Sequence, residues 1–306
     1  TVAPLVTHAE GKDKFDWSKT YDVIVVGSGG AGLSAAVAAA QNKASTVVIE
    51  KMDIIGGNTR ITGGAFNAVD PVEQEKKGIK DSVELHAEQT LKAGDYRGNP
   101  ELVKEFTKRA PEALQWLKDC GVVFLPGVYQ VYGGLHPRAH SSNKPFGLGY
   151  IEALENKCKE LNVPILLNTK VVRLIREGNL TGRVIGVEVL TKRGKTQFLR
   201  AVKGIVIASG GFSANPQARA LHDPRLYDLP TTNHKGATGD LISPAQDIGA
   251  EVVGMDYIQL LPGGATTGRF IGMVSPVESV IFVNKNGDRF VAEDNRRDVI
   301  ADAILG

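Results

Sequence analysis

The run Gly27-Ser28-Gly29-Gly30-Ala31-Gly32 constrains this chain more than any other feature. It follows the short apolar segment Asp22-Val23-Ile24-Val25-Val26 and leads into the alanine-rich stretch 31–41. An apolar run of that length reads as a strand buried in a parallel sheet, and the alanines as a closely packed helix. Residues 46–50, Thr-Val-Val-Ile-Glu, read as a second buried strand that ends in Glu50, 18 residues after Gly32. A glycine-x-glycine-x-x-glycine motif alone says little. Between a strand and a helix, with an acidic residue closing the next strand, it describes a βαβ unit that cradles a dinucleotide. Gly27 would make the tight turn, Gly29 would let the backbone approach a pyrophosphate, and Gly32 would let helix and strand pack closely. The pyrophosphate would sit at Gly30 and Ala31, on the positive end of the helix. Glu50 would accept hydrogen bonds from ribose hydroxyls. A glycine-rich turn without a ligand would only weaken the helix start.

The glycines that follow decide which dinucleotide. Lys51 is succeeded by Gly56-Gly57-Asn58-Thr59 and Gly63-Gly64; Ala208-Ser209-Gly210-Gly211 and the motif ending in Thr238-Gly239-Asp240 come later, also at strand ends. A nicotinamide dehydrogenase needs no second glycine-rich loop directly after the ribose carboxylate. An extended FAD, wrapped along its phosphates and ring, does. These residues, with Val172 on an intervening strand, are the expected FAD contacts.

The remaining sequence narrows the function classes. With 42% hydrophobic and 23% charged residues the composition is that of a soluble globular protein. A formal net charge of +2 carries no strong demand for nucleic acid or an anionic membrane, and no apolar run reaches membrane-spanning length. Two cysteines, Cys120 and Cys158, are too few for a disulfide framework; both read as core. There is no C-x-x-C-H for a c-type haem, and no His, Cys, Asp and Glu cluster has metal-ligand spacing, so no metal is expected. Residues 1–20 are polar and aperiodic, like the neck after a cleaved signal. That points to a periplasmic or otherwise exported protein, with a cytoplasmic one as the alternative.

The pattern predicts a helix capped by Asp81 with Glu84 and stopped at Gly94, another from Pro100, a third with Pro111 in its first turn, and one over 150–161. Residues 51–70 and 124–149 read as loops. Residues 165–208 read as a strand-rich insertion with strands at 165–167, 171–175, 183–191, 196–202 and 205–208, the last one buried. The expected fold is α/β: an N-terminal tail (1–20), a Rossmann-like FAD-binding domain with that insertion (21–255), and the start of an α+β capping domain (256–306).

Taken together, these motifs resemble the flavoprotein subunit family of fumarate reductase and succinate dehydrogenase, and within it the soluble flavocytochrome c fumarate reductases and urocanate reductase. The likeness runs from Tyr21 to Leu305 and includes Tyr257-Ile258-Gln259 and the stretch from Asn284 through Arg289, Glu293, Arg296 and Arg297 to Asp298. It implies an FAD domain followed by a cap, with reduction of a carbon–carbon double bond conjugated to a carboxylate between them. It also implies a proton-donating arginine at Arg297, with Arg296 as the adjacent rival and pairing to Asp298 or Asp294 as the purely structural alternative. A fixed guanidinium also stabilises the negative charge that builds on an enoate. The implied partners are a small carboxylate substrate and an external electron donor, a cytochrome. A further stretch of roughly 150 residues would complete the cap, as a lost segment or a separate chain.

Two departures from the family bear on substrate. Where fumarate reducers carry a carboxylate-binding histidine, two positions past Gln259, this chain has Leu261. The family's Thr-Glu pair aligns only loosely with the region around Glu278. Leucine cannot hold a second carboxylate, so the expected substrate is a monocarboxylate enoate rather than fumarate. Ketosteroid dehydrogenase-like or aspartate oxidase-like chemistry, or a non-catalytic flavin electron-transfer module, are the rival readings. His136, His140 and His234 are candidates of lesser weight; the resemblance implies that the loop carrying His140 lies near the flavin.

Overall fold

The apolar run before the glycines lies inside a six-stranded sheet. In this computed structural model, which describes residues 15–131, 134–178, 180–261 and 281–306, the elements follow in chain order. They are β1 (Trp17–Val26), α1 (Gly30–Gln41), β2 (Thr46–Ile49), α2 (Gly57–Ile61), β3 (Ala65–Asn67), α3 (Pro71–Glu75), α4 (Val83–Ala93), α5 (Pro100–Asp119) and β4 (Ala139–Ser141). Then come α6 (Leu148–Glu160), β5 (Ile165–Leu166), β6 (Thr169–Arg176), β7 (Val184–Thr191), β8 (Thr196–Ile207), α7 (Pro216–Ala220), a 3-10 turn at Pro224–Leu226, α8 (Ile242–Asp247) and α9 (Arg297–Leu305). The described residues form two compact units. One is drawn from the chain up to Thr62, Tyr150–Leu229 and Asn233–Asp256; the other from Gly63–Gly149, Pro230–Thr232 and Tyr257–Gly306.

The first unit holds the sheet, ordered β5-β2-β1-β8-β7-β6. β5, β2, β1 and β8 are parallel, and β7 and β6 extend the sheet antiparallel. Val23–Val26 pair with Thr46–Ile49 on one side and with 204–207 on the other. Both edges are thus hydrogen-bonded, and Ile24 and Val25 are fully buried, as an uninterrupted apolar strand requires. The core gathers Ile24, Val47, Val171, Val187 and Leu199, closed by Leu241 and Ala245 at α8. α6 buries Ile151, Leu154 and Cys158.

Three expectations change in this unit. Residues 17–20 belong to β1 rather than to a tail, because they pair with 198–200 of β8; the Trp17 ring also covers Gly186, where an added Cβ would lie 2.4 Å from it. The two strands expected at 196–202 and 205–208 are one, since β8 reaches from β7 to the end of β1. Its end is not buried: Val206 and Ile207 are 38% and 44% exposed.

In the second unit α4 and α5 pack together, and β3 pairs antiparallel with β4. Ala68, Ala110 and Leu114 form its described core, with Phe66 and Phe124 against them. The expected loops 51–70 and 124–149 therefore contain α2 and β3, and β4. The cap of α4 is Ser82, whose Oγ accepts the Leu85 N–H at 3.0 Å. Asp81 instead takes Arg138 at 2.7 Å and is almost fully buried. Pro111 begins no new helix: α5 runs through it for 20 residues. An interior proline costs about 3 kcal/mol, and α5 offsets it by burying a stripe of Thr107, Ala110, Leu114 and Leu117. No helix of the described residues is long and apolar enough to cross a membrane.

Candidate functional site

The glycine turn ties three parallel strand ends together. The Gly27 N–H donates to Ile49 O at 2.8 Å, and the Ala208 N–H to Val26 O at 2.8 Å. Gly27 has φ 104, and a Cβ there would stand 2.3 Å from Ala208 O. At Gly32 a Cβ would stand 1.9 Å from Gly27 O, so only glycine lets α1 pack on the turn. At Gly29 the nearest atoms would be 3.8 Å away, which leaves the backbone open to a ligand. The N-cap of α1 is Gly29, with no side-chain cap and no acidic residue in the first turn; Thr59 Oγ1 accepts the Gly30 N–H at 3.0 Å. α1 thus brings no acidic side chain of its own to its positive end.

Glu50 is buried beside that end. Its Oε2 accepts the Ser28 N–H at 2.9 Å and the Ser28 hydroxyl at 2.6 Å, and Oε1 accepts the Met52 N–H at 2.9 Å. A carboxylate offers about four acceptor sites, so capacity for a ligand hydroxyl remains. Lys51 Nζ donates to Thr238 Oγ1 at 2.6 Å and to Asp240 Oδ2 at 2.7 Å. Lys170 stands 3.3 Å from the same Oδ2. Burial pushes the Asp240 carboxyl up, but the hydrogen bonds from Lys51 and Thr238, with the charges of both lysines, hold it below the usual carboxylate range. Asn58 links the second glycine loop to the 233–240 motif: it donates to Asn233 Oδ1 and accepts the His234 N–H, each at 2.6 Å.

These groups surround a cleft of about 260 Å³. Gly27, Gly29, Gly30, Ala31, Glu50, Lys51, Gly57, Asn58, Thr59, Ala208, Ser209, Gly210 and Asp240 line it. Four other expected residues support the cleft from behind. Gly32 packs the turn, Gly56 bridges to Gly29, Thr238 anchors Lys51, and Gly239 (φ 71) makes a close turn on Phe212. Thr169, Lys170 and Val171 line the cleft, whereas Val172 is exposed and is not among the lining residues. Gly63 and Gly64 lie in the second unit, where Gly64 turns tightly against Phe146 O. Ser28, Met52, Lys170 and Leu241 also line the cleft without having been singled out. Ser28 was legible in principle: a hydroxyl residue opening the turn after β1 faces the carboxylate that closes the adjacent parallel strand. An uncapped helix N-terminus for a pyrophosphate, a buried acceptor for ribose hydroxyls and open glycine surfaces at Gly57 and Gly210 fit the adenosine–pyrophosphate portion of FAD.

Of the histidines, His234 lines the cleft and its Nδ1 accepts the Gly236 N–H at 3.1 Å. His140 is buried in β4, bonded to Phe66 O and Asp70 at 3.2 and 3.3 Å, and His136 bonds Lys80 O at 3.0 Å; both read as structural. In the second unit Gln259 is exposed and Leu261 half-buried, while Glu278 lies outside the described residues. Arg297 is the first residue of α9 and half-buried. Among the described residues no hydrogen bond or ion pair engages its guanidinium. Asp298 is taken by Arg296, at 3.1 and 2.5 Å.

The chain is 38% identical to the NADH:fumarate oxidoreductase of Klebsiella pneumoniae, over 94% of this chain and 31% of that one. It is 32% identical to the NADH:acrylate oxidoreductase of Vibrio harveyi, over 97% of this chain and 36% of that one. A solved flavocytochrome c3 fumarate reductase in its open conformation superposes with a TM-score of 0.84 at 32% identity, covering 95% of this chain and 51% of that one. The chain therefore spans about half or less of these proteins. Residues 22–306 match the family model described as FAD binding domain, and the chain belongs to that family.

Proposed function

We propose that this chain is the flavin-binding part of an FAD-dependent reductase of carbon–carbon double bonds conjugated to a carboxylate. The observation that carries the reading is the division of labour between two adjacent arginines. Arg296 is committed to carboxylates, while Arg297 in the same motif is half-buried and, among the described residues, unpaired. An arginine left without a counter-ion at a helix start is suited to an external anion.

Bound, reduced FAD would supply the hydride that adds to the carbon β to the carboxylate. The cleft of Gly27, Gly29, Glu50, Lys51 and Asp240 would hold its adenosine and pyrophosphate. Arg297 would give a proton to the α-carbon and draw its replacement from solvent-linked groups. Its charge would meanwhile stabilise the enolate-like density on the carboxylate. Leu261 offers no charge to a second carboxylate. This supports a monocarboxylate enoate as substrate over fumarate. The likeness to a flavocytochrome supports a cytochrome as the electron donor.

The test is anaerobic oxidation of a reduced viologen dye by the full-length protein with acrylate, methacrylate, cinnamate, urocanate and fumarate. A monocarboxylate should turn over faster than fumarate. Arg297→Ala should lower kcat by about 10² to 10⁴, the range of a lost general acid, with flavin content unchanged. Wild-type turnover by that variant, or rapid reoxidation of the flavin by oxygen with no enoate reduced, would end this reading.

A further inference from the structure

We propose that Asp95 is a positioning residue for Arg297, acting through Arg296; the inference rests on Arg297 being the proton donor. α4 ends in a reversal in which the Tyr96 N–H bonds Leu91 O at 2.8 Å and the Asp95 N–H bonds Lys92 O at 3.1 Å. That pattern places the residue after the cap in the left-handed region, where glycine is the easiest occupant. Here the glycine stands one position early. Gly94 has φ −91, while Asp95 and Tyr96 have φ 52 and 57. Two successive side-chain-bearing residues in that region are strained. Such strain persists where the surrounding structure uses what it presents.

What it presents is a carboxylate. Asp95 pairs closely with the Arg296 Nη1, and Arg97 approaches it at 3.9 Å. The guanidinium of Arg296 therefore spans Asp95, from the α4–α5 connection, and Asp298, from the first turn of α9. The hydrogen bonds from Arg296 hold both carboxyls below their usual range.

The bridge has two consequences for the neighbouring residue. Arg296 is the N-cap of α9 but makes no side-chain cap, so its side chain is free to tie the helix start to the α4–α5 connection and fix the direction in which Arg297 departs. By occupying Asp298 it also removes the carboxylate nearest in sequence to Arg297, which stays available to substrate.

Asp95→Gly separates positioning from stability. It removes the carboxylate and puts glycine where the backbone is left-handed, so the melting temperature should hold or rise. In the viologen assay with the best enoate of the panel, kcat should fall about tenfold or more, as for a displaced catalytic group. KM should stay within about twofold and flavin content should not change. The solvent deuterium isotope effect on kcat should grow as protonation becomes limiting. Asp95→Asn, which keeps an acceptor without the charge, should fall between. An unchanged kcat and isotope effect in Asp95→Gly would overturn the proposal, and so would a lowered melting temperature, which would make Asp95 a stability residue. Arg297→Ala read in the same assay keeps the two ideas apart, because full activity there refutes the donor role whatever Asp95 does.

Discussion

Replacing Gly32 by alanine probes the closest contact at the site. The new Cβ would lie 1.9 Å from Gly27 O and 3.4 Å from the Ala208 Cβ. Cβ atoms essentially never approach within 3.0 Å of another heavy atom, so α1 must withdraw by about 1.1 Å, the difference between 3.0 and 1.9 Å. Overpacking of this kind costs about 1–3 kcal/mol, a fall of roughly 2–10 °C in melting temperature for a chain of this size. The same shift carries the helix N-terminus away from the pyrophosphate, and a displacement of about 1 Å can cost on the order of 10²-fold where groups must be placed accurately. FAD affinity, read by quenching of flavin fluorescence on reconstitution of the flavin-free protein, should therefore weaken by about that factor. Gly204→Ala is the control, because a Cβ there meets nothing within 4 Å; it should leave both quantities unchanged. A Gly32→Ala protein that melts and binds FAD like the wild type would refute the close-packing argument.

Two pH experiments test the electrostatics. The Asp240 carboxyl titrates in the fold below its ordinary value of 3.8, so its contribution to stability is present above that value and fades as pH falls through the lower folded one. Lys51→Met removes the strongest opposing interaction and leaves burial to raise the carboxyl, so acid release of flavin should move to higher pH; an unmoved acid limb would refute the assignment. Burial, with the Arg138 charge beside it, holds buried His86 neutral down to about 4, from an ordinary 6.5, and its Nδ1 has no partner among the described residues. Between those two pH values the unfolded chain binds the extra proton, so stability declines as pH falls, by up to about 3 kcal/mol. His86→Leu should flatten that decline in urea titrations at pH 7 and pH 4.5, and an undiminished decline would point to another group.

What could be seen in the chain beforehand was whatever a few neighbouring residues decide. The buried strands at β1 and β2, the turn at Gly27 and the close approach at Gly32 follow from side-chain size and backbone freedom within about thirty residues, and Glu50 follows from the spacing of one βαβ unit. The limits of β1 and β8 did not follow, since residues 17–20 become strand only by pairing with residues about 180 positions away. Pro111 misled because the burial that offsets its local penalty belongs to the whole of α5. The capping site moved from Asp81 to Ser82 because Asp81 has a distant claimant, Arg138.

The site divides along the same line. By itself the sequence determined a dinucleotide cradle of FAD type, because motifs of glycine and charge encode local geometry; Arg297 was singled out only by the resemblance to the fumarate reductase family. Only the tertiary structure decided that Ser28 holds Glu50, that Lys51 and Lys170 converge on Asp240 from two separate segments, and that Arg296 rather than Arg297 takes Asp298. Those choices are made by side chains brought together across the fold, where competition for a shared partner, rather than any local preference, selects the pairing.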